Sequence, residues 1–267
     1  MNKKHIFLFL LSITFILPTI TTSFAHPLAQ TGKLKDYYLY VENAYNGYFI
    51  GAESLGWRAD ENHHSEGSTI TYKYSTAMTS EYIALIDEAI ALWAGVVDFR
   101  YDENSTRYIS LVQQCEDGTL AKFTNHISDG NGHLIGWEIQ ISRSAPKSAK
   151  VIAHELGHAI GLIDLYDASN NDKLMYHAPL HSSATGPTSR DIIGAKVITG
   201  QHTHTWTYSY YATTSNGNMH IASACPSCGG EPASAEMCTY NSNNRCTKCG
   251  TPKGASPYVS EEPEETE

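Results

Sequence analysis

The sequence predicts an α+β fold with one twisted mixed sheet. Two observations lead there. Short alternating stretches of β-branched and aromatic residues bracket a long apolar stripe at helical spacing, and two further helical segments follow before residue 200. From Gln201 onward the composition shifts to His, Cys, Ser, Asn and Tyr with little helical period. That shift divides the chain into a larger domain at 26–200, a small module at 201–252 and an acidic tail at 253–267.

Residues 1–25 read as a secretory signal peptide. Lys3 and Lys4 precede an apolar run from Ile6 to Leu17, and Ser23 and Ala25 place small residues before a cut at His26. The run is short of the ~20 apolar residues that span a bilayer, and no later segment is apolar enough. A secreted chain without a membrane span is the expectation. Residues 30 to 56 show no clear element.

Ser68 to Tyr74 alternates and reads as a strand. Thr79 or Ser80 then caps a helix whose stripe is Ile83, Ile86, Ile90, Trp93 and Val97. Phe99 to Tyr101, Tyr108 to Gln113 and Leu134 to Ser142 read as strands, the last preceded by the loop Asp129-Gly-Asn-Gly132. A second helix runs from Ala149 to about Leu162. A third spans Thr188 to about Thr199, with Asp191 in its first turn.

The segment His154-Glu155-Leu156-Gly157-His158-Ala159-Ile160-Gly161-Leu162-Ile163-Asp164 carries the chemistry. Histidines at i and i+4 share one helix face, so both imidazoles reach one ion. Glu155 projects beside them, where it can take a proton from water activated by the metal. Gly161 sits where the helix must stop, and the turn brings Asp164 towards the same ion. Three protein ligands and one open position are what a catalytic Zn²⁺ site requires. Asp167 and His177 are rival third ligands.

This pattern resembles the metzincin zinc metallopeptidases, with their HExxHxxGxx motif followed by His or Asp. Aspartate in the last place is similar to the snapalysin-type enzymes. Lys173-Leu-Met-Tyr176 resembles the family's Met-turn, with Met175 beneath the metal, and Thr188 to Gly194 looks like the C-terminal helix of its matrixin branch. The likeness covers about Trp57 to Gly200. It implies a metzincin-like zincin fold with three main helices and a secreted zinc endopeptidase acting on protein or peptide substrates. The metal ligands would be His154, His158 and Asp164, and Glu155 the catalytic base. It also implies that Leu134 to Ser142 is the substrate-binding edge strand, that Tyr176 to His181 shape the pocket beyond the cut, and that Tyr176 contacts the oxyanion. A zinc amidase acting on cell-wall peptides and a catalytically inactive adhesion protein are the alternative readings. An intact Glu155 argues against the last.

In the module, Cys225-Pro-Ser-Cys228 and Cys246-Thr-Lys-Cys249 form two CxxC knuckles, each followed by Gly. Their spacing suits a zinc ribbon, so Cys225, Cys228, Cys246 and Cys249 are candidate ligands of a second, structural Zn²⁺; His202, His204, His220 and Cys238 lie around them. Disulfides are the rival use of thiols in a secreted chain. Trp206, Tyr208, Tyr210 and Tyr211 read as a small β-core. His63 and His64 read as solvated. Asp117-Gly118 and Asp129-Gly130 read as turns in preference to Ca²⁺ loops. The formal charge of −10 excludes nucleic acid and anionic membranes as expected partners.

Overall fold

The computed structural model describes residues 51–254, apart from 61–62, 76–77, 117, 131, 204, 206, 215–216, 224 and 230–235. The expected signal peptide, the tail from 255 onward, His204 and Trp206 lie outside the described residues. Among the described residues no helix is long and apolar enough to cross a membrane.

The described chain begins with a two-stranded antiparallel ribbon, β1 (Gly51–Ala52) and β2 (Trp57–Arg58). A 3₁₀ turn at Glu53–Leu55 joins them, closed by Gly56 in the left-handed region at φ 73°. β1 lies in the stretch that shows no sequence period and β2 just after it, because two-residue strands are too short to carry one.

The main sheet is mixed and five-stranded, in the order β4-β3-β5-β7-β6. Its members are β3 (Thr69–Tyr74), β4 (Asp98–Tyr101), β5 (Arg107–Val112), β6 (Ala121–Ser128) and β7 (Leu134–Ser142). β3, β4, β5 and β7 run parallel, and β6 closes one edge antiparallel to β7. Alternation in β3 buries Ile70 and Tyr72, as the pattern predicts.

β6 has no counterpart among the expected strands: its residues are mostly half-exposed and polar, and its register breaks between Thr124 and Ser128. An edge strand with one wet face and a bulge gives little alternation to read. In consequence Leu134–Ser142 is not the edge strand: β7 lies between β5 and β6. Its near-continuous burial fits an interior strand covered on both faces.

Three helices accompany the sheet: α1 (Ser80–Leu92), α2 (Ala149–Ile160) and α3 (Ser189–Ile198). α1 buries Tyr82, Ile86 and Ala89, with Trp93 at its end; Ile83 is only half-buried, so the buried stripe begins one residue earlier than expected. The Trp93 indole N–H donates to the Ala153 carbonyl at 2.9 Å, tying the end of α1 to α2. The Ser148 hydroxyl accepts from Val151 N to cap α2. Every residue of α2 except Lys150 and His158 is buried. Ten buried positions in one short helix place it inside the domain, and the only half-buried histidine on it faces the cleft described below.

Beyond α3, β8 (Tyr208–Thr214), β9 (Gly217–Ala222) and β10 (Glu236–Met237) make a separate antiparallel sheet in the order β10-β9-β8.

Candidate metal centre and cleft

α2 presents His154 and His158 one turn apart, with rings at right angles and centroids 4.8 Å apart. Each ring is fixed by a backbone carbonyl. His154 Nδ1 lies 2.8 Å from Leu174 O, and His158 Nδ1 lies 2.8 Å from Leu162 O. A carbonyl only accepts, so Nδ1 carries the proton in both rings and Nε2 is left with a lone pair. Gly161 ends the helix at φ 116°, and a side chain there would drive its Cβ to 2.8 Å from His64 Cα. That reversal returns Asp164 over the helix. Asp164 Oδ1 comes within 3.0 Å of His154 Nε2 and 3.6 Å of His158 Nε2.

These three atoms fit a divalent metal. Asp164 Oδ1 is buried and accepts no conventional hydrogen bond, and with both rings neutral its lone pairs would face two others. Something positive belongs between them, either a proton on His154 or a cation. The donor set, two imidazoles and one carboxylate, is one that zinc accepts. Neither rival ligand joins this group of three: the exposed Asp167 accepts from Ser169 N at 2.8 Å, and His177, though it lines the cleft, stacks its ring on Tyr166.

Burial pulls the His154 imidazolium down, but the Asp164 carboxylate and the charge of Glu155 outweigh it, so the group titrates above the ordinary histidine value. Burial pushes Asp164 up, and contact with His154 and the charge of His158 reverse this, leaving it below the ordinary carboxylate value. The sign follows for the metal-free chain. A raised His154 contributes stability that is complete below the unfolded value near 6.5 and is lost as pH rises through the folded value. Zinc must displace that proton, so its affinity falls as pH falls through the same value. Chelated protein should therefore lose thermal stability between pH 6 and pH 8, whereas zinc-loaded protein should not. Parallel melting curves at the two pH values, with and without chelator, check this. Identical pH profiles would refute it.

The sequence flagged Met175 as the turn beneath the metal. It is buried against Gly157, where an added Cβ would meet its Sδ at 2.3 Å, so α2 can approach this turn only with glycine at that position. Leu165 N donates to Met175 O at 2.8 Å and His177 N to Leu165 O at 3.0 Å, so the turn runs parallel to the segment just after Asp164.

Two carboxylates that the sequence did not single out for the site hold this arrangement. Asp191 is fully buried, and its two oxygens accept from Leu174 N, Met175 N, Thr188 N and the Thr188 hydroxyl. The sequence marked it as a helix-capping acid, but nothing local indicated that it also holds the residue whose carbonyl orients His154. Glu53 accepts from Tyr166 N at 2.9 Å, Asp167 N at 3.3 Å and the Asn170 amide at 2.8 Å. It thereby fastens the loop that follows Asp164. No sequence signal joins positions more than a hundred residues apart.

Glu155 faces the same cleft, and its Oε2 accepts from Phe123 N at 2.8 Å. That bond shows that the amide of Phe123 on β6 points away from β7 and into the cleft. The cleft encloses about 620 Å³ and runs between the start of β6 and the segment after the Met175 turn. Its apolar wall is formed by Leu120, Val151, Ala178, Pro179 and Leu180. Tyr176 does not line it, whereas Tyr166 and His177 do. The Tyr166 hydroxyl donates to Asp164 Oδ2 at 3.4 Å.

Other flagged residues fall outside this centre. His64 is buried, not solvated; it bridges to His133 in register, and its carbonyl accepts from Leu134 N. The Asp129 carboxylate accepts from His133 N and so closes its turn, while Asp117 lies outside the described residues. The four knuckle cysteines do not share one site. Cys225 and Cys228 gather with His202, whereas Cys246 and Cys249 gather with His220 and Cys238. Spacing pairs the cysteines inside each knuckle but carries no information on which other donors the strands bring to it.

No family model matches the chain, and no curated protein matches it. Among solved structures, a chain of the GM1-bound form of the ECX AB5 holotoxin is similar at 14% identity, over 56% of this chain and 91% of that one, with a TM-score of 0.38. High choriolytic enzyme 1, a hatching-enzyme zinc protease from the medaka fish Oryzias latipes, is similar at 18% identity, over 56% of this chain and 96% of that one, with a TM-score of 0.35. Likenesses this distant carry no weight in assigning a function, which rests on the geometry of the cleft.

Proposed function

We propose that this chain is a secreted zinc-dependent endopeptidase. The observation that carries the reading is the convergence of His154 Nε2, His158 Nε2 and Asp164 Oδ1 in a cleft that also holds Glu155 and the outer edge of β6. When bound there, zinc supplies a Lewis acid that polarises the scissile carbonyl and makes water a nucleophile at neutral pH.

The chain's own residues do the rest. The Phe123 amide holds Glu155 Oε2, which leaves Oε1 to accept the proton of the attacking water and return it to the leaving amine. The start of β6 offers backbone groups for an extended peptide to pair with, as an added strand would. Beyond the cut, the apolar wall of Leu120, Val151 and Leu180 suits an apolar side chain. Tyr166 and His177, which line the cleft on the Asp164 side, are better placed than Tyr176 to meet the developing oxyanion.

Fluorogenic peptides carrying an apolar residue just after the cleavable bond test the reading. The mature chain should cleave them, lose cleavage on chelation and regain it with added zinc. Cleavage that persists after the metal is stripped, or a zinc-loaded chain inert on proteins and peptides alike, would overturn it.

A further inference from the structure

The Cys/His module contains more donors than one ion can use, and strand pairing sorts them into two sets. β10 pairs with β9 so that Glu236 lies opposite His220, and Cys238 N then donates to Asn218 O at 2.8 Å. This register brings Cys238 beside the buried His220 ring. The second knuckle reaches the same place: Gly250 N donates to Cys246 O at 2.9 Å, and Gly250 turns at φ 73°. The first knuckle repeats that geometry, with Gly229 N donating to Cys225 O at 2.7 Å and Gly229 at φ 80°. In each knuckle backbone amides also point at the leading sulfur, from Lys248 and Cys249 to Cys246 and from Cys228 to Cys225.

We propose that the module binds two zinc ions at separate sites, one enclosed by His220, Cys238, Cys246 and Cys249, the other held by His202, Cys225 and Cys228. Tetrahedral zinc with bonds of about 2.3 Å to sulfur and 2.0–2.1 Å to nitrogen requires S···S edges of about 3.8 Å and S···N edges of about 3.6 Å. In the first set, Cys238 Sγ lies 3.9 Å from Cys249 Sγ, and His220 Nδ1 lies 3.4 Å from both Cys238 Sγ and Cys246 Sγ. Three sulfurs and one nitrogen at these separations complete a closed structural site. His220 Nε2 faces Glu236 Oε2 at 3.3 Å, the carboxylate–histidine arrangement that fixes a ligand's tautomer and leaves Nδ1 for the metal. A disulfide accounts for this set poorly, since Cys238 Sγ and Cys249 Sγ lie well beyond bonding distance at 3.9 Å and any pairing would strand a third sulfur and the imidazole.

The second set stands on its own distance, Cys225 Sγ to His202 Nε2 at 3.6 Å, with both cysteines fully buried. It lies where the module meets the larger domain. The Arg190 guanidinium of α3 donates to Ser227 O inside this knuckle at 2.8 Å, and Gly229 approaches the Leu55 side chain so closely that a Cβ would meet it at 2.6 Å. An ion here fastens the module to the segment from Glu53 to Leu55, and Glu53 in turn holds the loop after Asp164.

Metal counting on the full mature chain tests the proposal separately from the peptidase reading. The purified chain should contain three zinc ions. The His154→Ala/His158→Ala variant should retain two, whatever the peptidase assay shows. Cys238→Ser should lose one, and Cys225→Ser should lose a different one, so the double variant retains only the cleft ion. A single ribbon of four cysteines predicts instead two ions in all, no loss with Cys238→Ser, and the same ion lost from either knuckle. Either that pattern or disulfides recovered by mass spectrometry of the unreduced chain would overturn the proposal. If the serine variants fail to fold, cobalt substitution of the His154→Ala/His158→Ala chain decides. Two tetrahedral cobalt ions with thiolate charge-transfer bands support two sites, and one such ion refutes them.

Discussion

Glu155→Gln should lower kcat for peptide hydrolysis on the order of 10³-fold while leaving zinc content and KM unchanged. The substitution is nearly isosteric, and the glutamine carbonyl oxygen can still accept from Phe123 N, so the wall between α2 and β6 is preserved. The three atoms that converge on the metal position belong to His154, His158 and Asp164, and none belongs to Glu155. What is lost is a group that can hold a proton between the attack of water and the departure of the amine. A loss confined to kcat marks an interaction made in the transition state and not in substrate binding. The measurement is single-substrate kinetics with a fluorogenic peptide, alongside metal analysis of the same preparations. A Glu155→Gln chain as active as the unaltered one would assign the base to another residue. A variant that loses its zinc would show that Glu155 holds the metal site together and leave its part in proton transfer undemonstrated.

The contrast between what the residues disclosed and what they concealed has a physical cause. Helical geometry is local, so histidines four apart and a glycine at the end of the helix were sufficient to bring three side chains to one point. The five-stranded sheet was legible wherever a strand had one face to bury, as in β3, and illegible in β6, whose outer edge and bulge break the alternation. That omission had a functional consequence. The strand that forms one wall of the cleft and holds Glu155 is the one whose pattern is weakest, because an edge strand with a wet face has no continuous core to alternate against.

Contacts distant in sequence were hidden for a different reason. Glu53 reaches across more than a hundred residues to Asn170, and neither position carries a pattern that points to the other. The cysteines show the same limit. Each CxxC knuckle is a local device and was readable, but the choice of His220 and Cys238 as partners of the second knuckle depends on the register of β9 with β10.

Asp191→Ala should cost about 3–5 kcal/mol of stability and weaken zinc binding roughly 10- to 100-fold, although Asp191 touches neither metal ligand nor cleft. Its carboxylate accepts four hydrogen bonds in a fully buried position. Alanine leaves the buried amides of Leu174 and Met175 without an acceptor, each costing about 1–3 kcal/mol if nothing rearranges, and frees the half-buried amide and hydroxyl of Thr188, which cost less because water reaches them. Relaxation around Thr188 recovers part of this, which is why the expected total lies below the simple sum. For a domain of this size the loss corresponds to a fall in Tm of about 10 °C. The effect on the metal follows from geometry: Leu174, whose amide Asp191 holds, presents the carbonyl that keeps His154 Nδ1 protonated and Nε2 directed at Asp164. Without that anchor the imidazole can rotate or exchange tautomers, and the site loses its preorganisation. Asp191→Asn keeps one acceptor and should recover part of the stability. Zinc affinity is to be measured below the melting temperature of each variant, so that unfolding is separated from misorientation. If Asp191→Ala melts with the wild type, the buried network is not what holds the Met175 turn. If it melts early yet binds zinc equally well, the turn does not orient His154.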